Sequence, residues 1–255
     1  RFGARYGLFG DPRVIQRDPF ELVRGASKYT ASRRAGRRNY ACGIDDLERP
    51  CTTAAVGGGM TEVSLASIEA ELAIYADLLR RWQRRINLIG PSTVSSMRAR
   101  HFEDSSAVVQ FAPLEARWAD LGSGAGFPGM IVALLQKPHP GAVTHLIEAD
   151  RRKAAFLREV SRETGARAEI HVARAEDVLD AIAPNIITSR AMAPLRSLIE
   201  ICDRRIRCGA KCVFLKGQNI EDELTALTIS SNFLLKVDRS PTNELGYVAT
   251  VELAL

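Results

Sequence analysis

The chain has 255 residues, 46% of them hydrophobic and 25% charged, with a formal net charge of +5. That length allows one sizeable domain plus an appendage, and the lack of any apolar run of about 18 residues argues against a membrane-spanning helix. The charge is local: residues 1–59 carry 11 Lys/Arg against 6 Asp/Glu, residues 60–255 carry 24 of each, so the basic balance says nothing about nucleic-acid binding by the larger part.

Residues 1–59 are rich in Arg, Gly, Ser and Thr and hold no period of 2 or 3.6. Met60 follows Gly57-Gly58-Gly59. The segment is expected to be a non-native or disordered extension, with Met60 the natural start. The rival reading is a basic RNA-binding arm around Arg33, Arg34, Arg37 and Arg38. Residues 60–112 are expected to form N-terminal helices. Leu65, Ile68, Leu72, Tyr75, Leu79, Trp82, Ile86 and Ile89 recur at helical steps over 64–89, closed by Pro91. A second helix is expected over 92–111, and Tyr75 and Trp82 read as core residues. From residue 113 to 255 strand-like runs (117–121, 143–148, 168–172, 185–189, 211–215) alternate with helix-like runs (128–136, 151–164, 175–182, 195–207). Gly165 and Gly209 stand where helix C-caps belong. Runs 232–237 and 247–253 read as antiparallel strands closing the edge. Such alternation predicts an α/β fold, a Rossmann-like parallel sheet with helices on both faces and its ligand site outside the carboxyl ends of the strands.

The loop Asp120-Leu-Gly122-Ser-Gly124-Ala-Gly126-Phe127-Pro-Gly129 sits between the first strand and its helix. Glycines serve where the backbone takes positive φ or approaches a ligand, and the helix N-terminus behind them suits a nucleotide-like cofactor. Two frames fit. Gly124-x-Gly126-x-x-Gly129 matches the dinucleotide fingerprint. Gly122-x-Gly124-x-Gly126 with Asp120 ahead of it places a carboxylate where it would repel a pyrophosphate but suit a cationic, amino-bearing ligand. Glu148 ends the next strand, where an acid can accept both ribose hydroxyls. Together these favour S-adenosylmethionine over NAD. Five cysteines form no CxxC pair, and histidines 101, 139, 145 and 171 are scattered with no HxxxH spacing; no metal site is expected. Arg151, Arg152 and Lys153 open a helix, where the dipole disfavours cations, which suggests phosphate contacts. The absence of a secretory signal points to the cytoplasm.

With these residues assembled, the chain resembles the bacterial 16S ribosomal RNA guanine-N7 methyltransferases, the glucose-inhibited division protein B family, within the class I S-adenosylmethionine-dependent methyltransferases. The resemblance spans roughly 62–255. It rests on Trp82…Asn87-Leu88, Arg100-His101-Phe102-Glu103-Asp104-Ser105, the loop 120–129 with its Phe-Pro-Gly end, Ala175-Glu176-Asp177, Ser189-Arg190-Ala191 and Leu215-Lys216-Gly217-Gln218. It implies methyl transfer from S-adenosylmethionine to guanine N7 in 16S rRNA or the small ribosomal subunit; a monomer with no membrane partner is expected. The cofactor residues expected are Gly122, Gly124, Phe127, Glu148, Ala175, Glu176 and Arg190. Arg190, Lys216, His101 and Asp104 are candidates for positioning, with no acid–base or nucleophilic constellation. Where the family carries an Asp before Ser-Arg-Ala, this chain has Asn185. The alternatives are a methyltransferase with a small-molecule or protein substrate, and a non-enzymatic RNA-binding or cell-division factor.

Overall fold

Seven apolar runs pair into one sheet: β1 (Arg117–Leu121), β2 (Val143–Ile147), β3 (Ala168–His171), β4 (Ile186–Arg190), β5 (Lys211–Lys216), β6 (Phe233–Arg239) and β7 (Tyr247–Leu253). The computed structural model describes residues 64–227 and 232–254, and these seven are the strands among them; the expectations for residues 1–59 lie outside the described residues. The spatial order is β3-β2-β1-β4-β5-β7-β6. The first five are parallel, and β7 runs antiparallel between β5 and β6. The connections reverse direction between β1 and β4, which opens a crevice beyond their carboxyl ends.

Side chains of successive strand residues alternate between two cores. On one face Trp118 and Leu146 pack with α1 (Glu69–Gln83), α3 (Gly129–Leu135) and α4 (Arg151–Thr164). On the other face Ala119, Leu121, Ile187 and Phe214 pack with α5 (Ala175–Ile182), α6 (Leu195–Arg207) and α7 (Ile220–Thr225). The N-terminal helices therefore share a core with the sheet. α4 shows how its ends are set. Asp150 accepts from the backbone N–H of Arg152 and Lys153, offsetting the basic first turn, and Gly165 closes the helix at φ 66°.

Two helix expectations are corrected. The first helix ends at Gln83, not near Ile89, because the Gln83 carboxamide takes over backbone pairing. Its Oε1 accepts from Leu88 N (2.9 Å) and Ile89 N (3.0 Å), and its Nε2 donates to Ile89 O (2.8 Å). The expected single helix over 92–111 is instead a series of turns. A 3-10 turn at Pro91–Thr93 and a π-helical turn at Arg98–Glu103 lead into α2 (Asp104–Ser106), which ends in a 3-10 turn at Ala107–Gln110. The widened π turn carries His101 and Phe102 toward the sheet.

Candidate cofactor and substrate site

β1 delivers the chain to the crevice as a loop whose glycines take positive φ: 62° at Gly122, 55° at Gly124 and 95° at Gly126. At Gly126 a Cβ would stand 2.5 Å from the Tyr75 hydroxyl and 2.9 Å from Met130 Cβ. At Gly129 it would stand 2.5 Å from Asp120 Cβ, so α3 can start flush against β1 only with glycine there. The loop is held from outside as well. Ser123 N donates to Ile147 O (3.0 Å), Gly124 N to Glu148 Oε2 (2.8 Å), and the Tyr75 hydroxyl to Ala125 O.

Glu148 spends both oxygens on backbone: Oε1 also accepts from Asp150 N at 2.8 Å. The residue expected at the ribose thus also braces the β1 loop against the β2 end. Asp120 is fully buried. Its Oδ2 accepts from Gly129 N (3.3 Å), and its Oδ1 has no partner among the described residues. Burial pushes its carboxyl up to about 7. Met192, in the turn after β4, lies over Gly122; no signal in the sequence announced it.

A second group assembles on the β4 side. Phe127 is stacked with Tyr75 (centroids 5.4 Å apart) and His101 (5.1 Å), and the Arg190 guanidinium lies 4.8 Å from its centroid. The motif match predicts a cofactor contact for Phe127; in the structure its ring is packed among these neighbours. Arg190 donates to Arg100 O (3.3 Å) and approaches Asp104 Oδ2 at 3.5 Å. His101 and Asp104 do not pair with each other. His101 Nε2 meets Thr93 Oγ1 at 2.8 Å, and burial, with Arg190 and Arg100 adding to it, lowers the imidazole to about 4, so it is neutral near pH 7. Lys216 Nζ contacts Glu223 (2.7 Å) and Ala193 O (3.1 Å). Glu223, from the acidic start of α7, is a site residue the sequence did not single out. His101, Asp104, Arg190 and Lys216 all line one cavity of about 700 Å³, walled also by Leu88, Gln218 and Met192.

Ala175 and Glu176 stand apart from this cavity. They open α5, beyond β3, and the helix begins without a side-chain cap. Beside them Arg151, Arg158 and Arg174 border a second hollow of about 580 Å³ with Ala149, Val172 and Ala173. None of the three arginines has an acidic partner among the described residues. Asn185 lies at the opposite end of the sheet. Its Oδ1 accepts from Arg117 N (3.2 Å), five residues ahead of Arg190 and so about 16 Å away along the strand. It joins strand starts and is remote from the crevice.

The family model of rRNA small subunit methyltransferase G matches residues 68–245. A protein of that name from Bradyrhizobium diazoefficiens is 42% identical over 188 residues, covering 73% of this chain and 72% of its own. One from Nitrobacter hamburgensis is 38% identical over 230 residues, covering 86% and 88%. Among solved structures, cofactor-bound Rv0187 from MTB superposes with a TM-score of 0.51 at 15% identity, over 78% of this chain and 92% of that one. TomG, an O-methyltransferase from Streptomyces achromogenes in complex with SAM, does so with a TM-score of 0.51 at 14% identity, over 72% and 90%. These two establish the fold alone. The match from Ile68 to Leu245 takes in the glycine loop, the Arg190 strand end and the Lys216 strand end together, and the chain belongs to the rRNA small subunit methyltransferase G family.

Proposed function

We propose that this chain transfers the methyl group of S-adenosylmethionine to N7 of a guanine in the 16S RNA of the small ribosomal subunit. The observation that carries the reading is the placement, on either side of β1, of a glycine loop braced by Glu148 and a cavity walled by Arg190, His101, Asp104 and Lys216. The residues present fit the cofactor. Asp120 keeps an unpartnered oxygen at the base of the loop, and the Glu148 carboxylate beside it gives negative potential for a cationic ligand. The uncapped start of α5 offers the Ala175 and Glu176 amides to an adenine edge.

When bound, S-adenosylmethionine supplies an electrophilic methyl on a sulfonium centre. Guanine N7 carries a lone pair and no proton, so the protein has no proton to remove. Its work is to hold N7 in line with the methyl carbon. Arg190, held over the Phe127 ring and tied to Asp104, is placed to donate to guanine O6 and leave the N7 lone pair free. Neutral His101 holds the Thr93 turn against the cavity, and Lys216 with Glu223 fixes the opposite wall. Arg151, Arg158 and Arg174 are suited to RNA phosphates near the adenine end. No described helix is long and apolar enough to cross a membrane. The chain is proposed to act as a cytoplasmic monomer. The sheet domain and its helical cap are proposed to suffice, without residues 1–59.

The test is nucleoside mass spectrometry of ribosomal RNA from cells with and without the gene, with methyl transfer by purified protein to small subunits, free 16S RNA and total protein. The expected result is loss of one 7-methylguanosine on deletion and its restoration in vitro. Label in protein or a small molecule, or no cofactor binding, overturns the proposal in favour of the other substrate class or a non-enzymatic role.

A further inference from the structure

The sheet register brings together three side chains far apart in sequence. His145 on β2 is the direct neighbour of Glu169 on β3, and His171 lies two residues on, so all three project from the same face of two paired strands. Their ligand atoms all lie within 4.8 Å of one another, the one such group of three among the described residues. His145 Nδ1 is 3.0 Å from His171 Nε2 and 3.3 Å from Glu169 Oε2. Around a zinc ion with bonds of about 2.1 Å, adjacent ligand atoms are separated by roughly 3.0–3.5 Å. Both separations from His145 Nδ1 already fall in that range, and the third pair stands within 4.8 Å.

Hydrogen bonding accounts less well for the cluster. A single ring proton on His145 Nδ1 faces two acceptors, His171 Nε2 and the Glu169 carboxylate, and a proton placed on His171 Nε2 instead leaves Nδ1 facing the carboxylate lone pair to lone pair. A cation satisfies all three at once. The set is also accessible. Glu169 is 62% exposed, and the three line an open hollow of about 450 Å³ against α5, leaving room for a water ligand. Arg117 borders the same hollow and opposes a cation, but its guanidinium donates to Ile182 O at 3.3 Å.

We propose that His145, Glu169 and His171 form a site for a divalent transition cation of the zinc type, with two imidazoles, one carboxylate and an open position for water. The site clips the edge strand β3 to β2. His171 O also accepts from Glu148 N (3.0 Å), and the 172–174 connection to α5 follows directly, so the clip stiffens the strand end from which Glu148 and Ala175 are held. The site supplies no group to the crevice itself, since neither imidazole lines that cavity.

The experiment is calorimetric titration of chelator-stripped full-length protein with Zn2+, beside Glu169→Gln and His171→Asn, with Co2+ spectra to identify ligands. One equivalent should bind, Tm should rise with Zn2+, and each variant should weaken binding by at least about tenfold. Glu169→Gln alters an exposed side chain, so it carries the test if His171→Asn folds poorly. The proposal is overturned if the wild type binds no Zn2+, if Glu169→Gln binds as well as the wild type, or if the Co2+ spectrum shows thiolate charge transfer, which assigns the metal to cysteine.

Discussion

Two buried titratable groups flank the loop with opposite consequences for stability. His101 drops from 6.5 to about 4 on folding, so between those values the unfolded chain holds the extra proton and the residue's contribution grows with pH. Asp120 rises from 3.8 to about 7, so the folded protein holds the extra proton and that contribution falls as pH rises. Over the shared window the two slopes oppose each other. Asp120→Asn keeps an acceptor for Gly129 N and deletes one slope, so Tm of the variant should climb from pH 4 to 6.5 more steeply than that of the wild type; equal slopes would remove Asp120 from this account. Glu148 predicts a different signature. Each charge-assisted bond it makes is worth about 1.5–3 kcal/mol, so Glu148→Ala should weaken S-adenosylmethionine binding about ten- to a hundredfold and also lower Tm, because Gly124 N and Asp150 N lose their acceptor. Glu148→Gln should fall between. Unchanged affinity by calorimetry would leave Glu148 a brace only.

At the scale of elements, α1 does more than cover the sheet. Tyr75 places its ring against Phe102, Phe127 and Phe156 and its hydroxyl on Ala125 O. Tyr75→Phe keeps the stacking and strands a buried carbonyl, a cost of about 1–3 kcal/mol that falls on the loop. Melting should show that loss, and cofactor affinity should fall with it. A variant that loses stability yet binds the cofactor normally would show that the hydroxyl acts on the fold alone. Helicity at 64–83 was legible because apolar residues recur every three or four positions. Its stop was not, since it depends on one carboxamide, Gln83, reaching Leu88 and Ile89. The π turn at Arg98–Glu103 was likewise invisible, because a residue pattern of mixed helical pitch reads as one amphipathic helix.

The whole chain has two charge regimes, a basic segment over 1–59 and a neutral larger part, and within the larger part three exposed arginines without acidic partners surround one hollow. Replacing Arg151, Arg158 and Arg174 with Gln should weaken RNA binding and flatten its salt dependence by about 0.7–0.9 log units for each phosphate left without its cation, while cofactor affinity holds. A full salt slope in the triple variant would place the RNA elsewhere. The buried hydrophobic residues described run from Ile68 to Val251. A chain starting at Met60 should therefore melt as the full chain does and methylate at a similar rate. A large drop in RNA affinity would instead support the basic-arm reading of residues 1–59.

Period, glycine placement and motif spacing are local properties of the chain, so the α/β alternation, the glycine loop after β1 and the residues at the strand ends could all be read from the sequence. Which strand ends share a cavity could not, since that follows from the β3-β2-β1-β4-β5 order; nor could the bridge that Glu148 makes between two loops. In the sequence His145 and His171 are scattered residues, 26 positions apart. Only the pairing of β2 with β3 fixed both on one face beside Glu169, because strand register is set by the burial of a whole sheet face and not by neighbours in sequence.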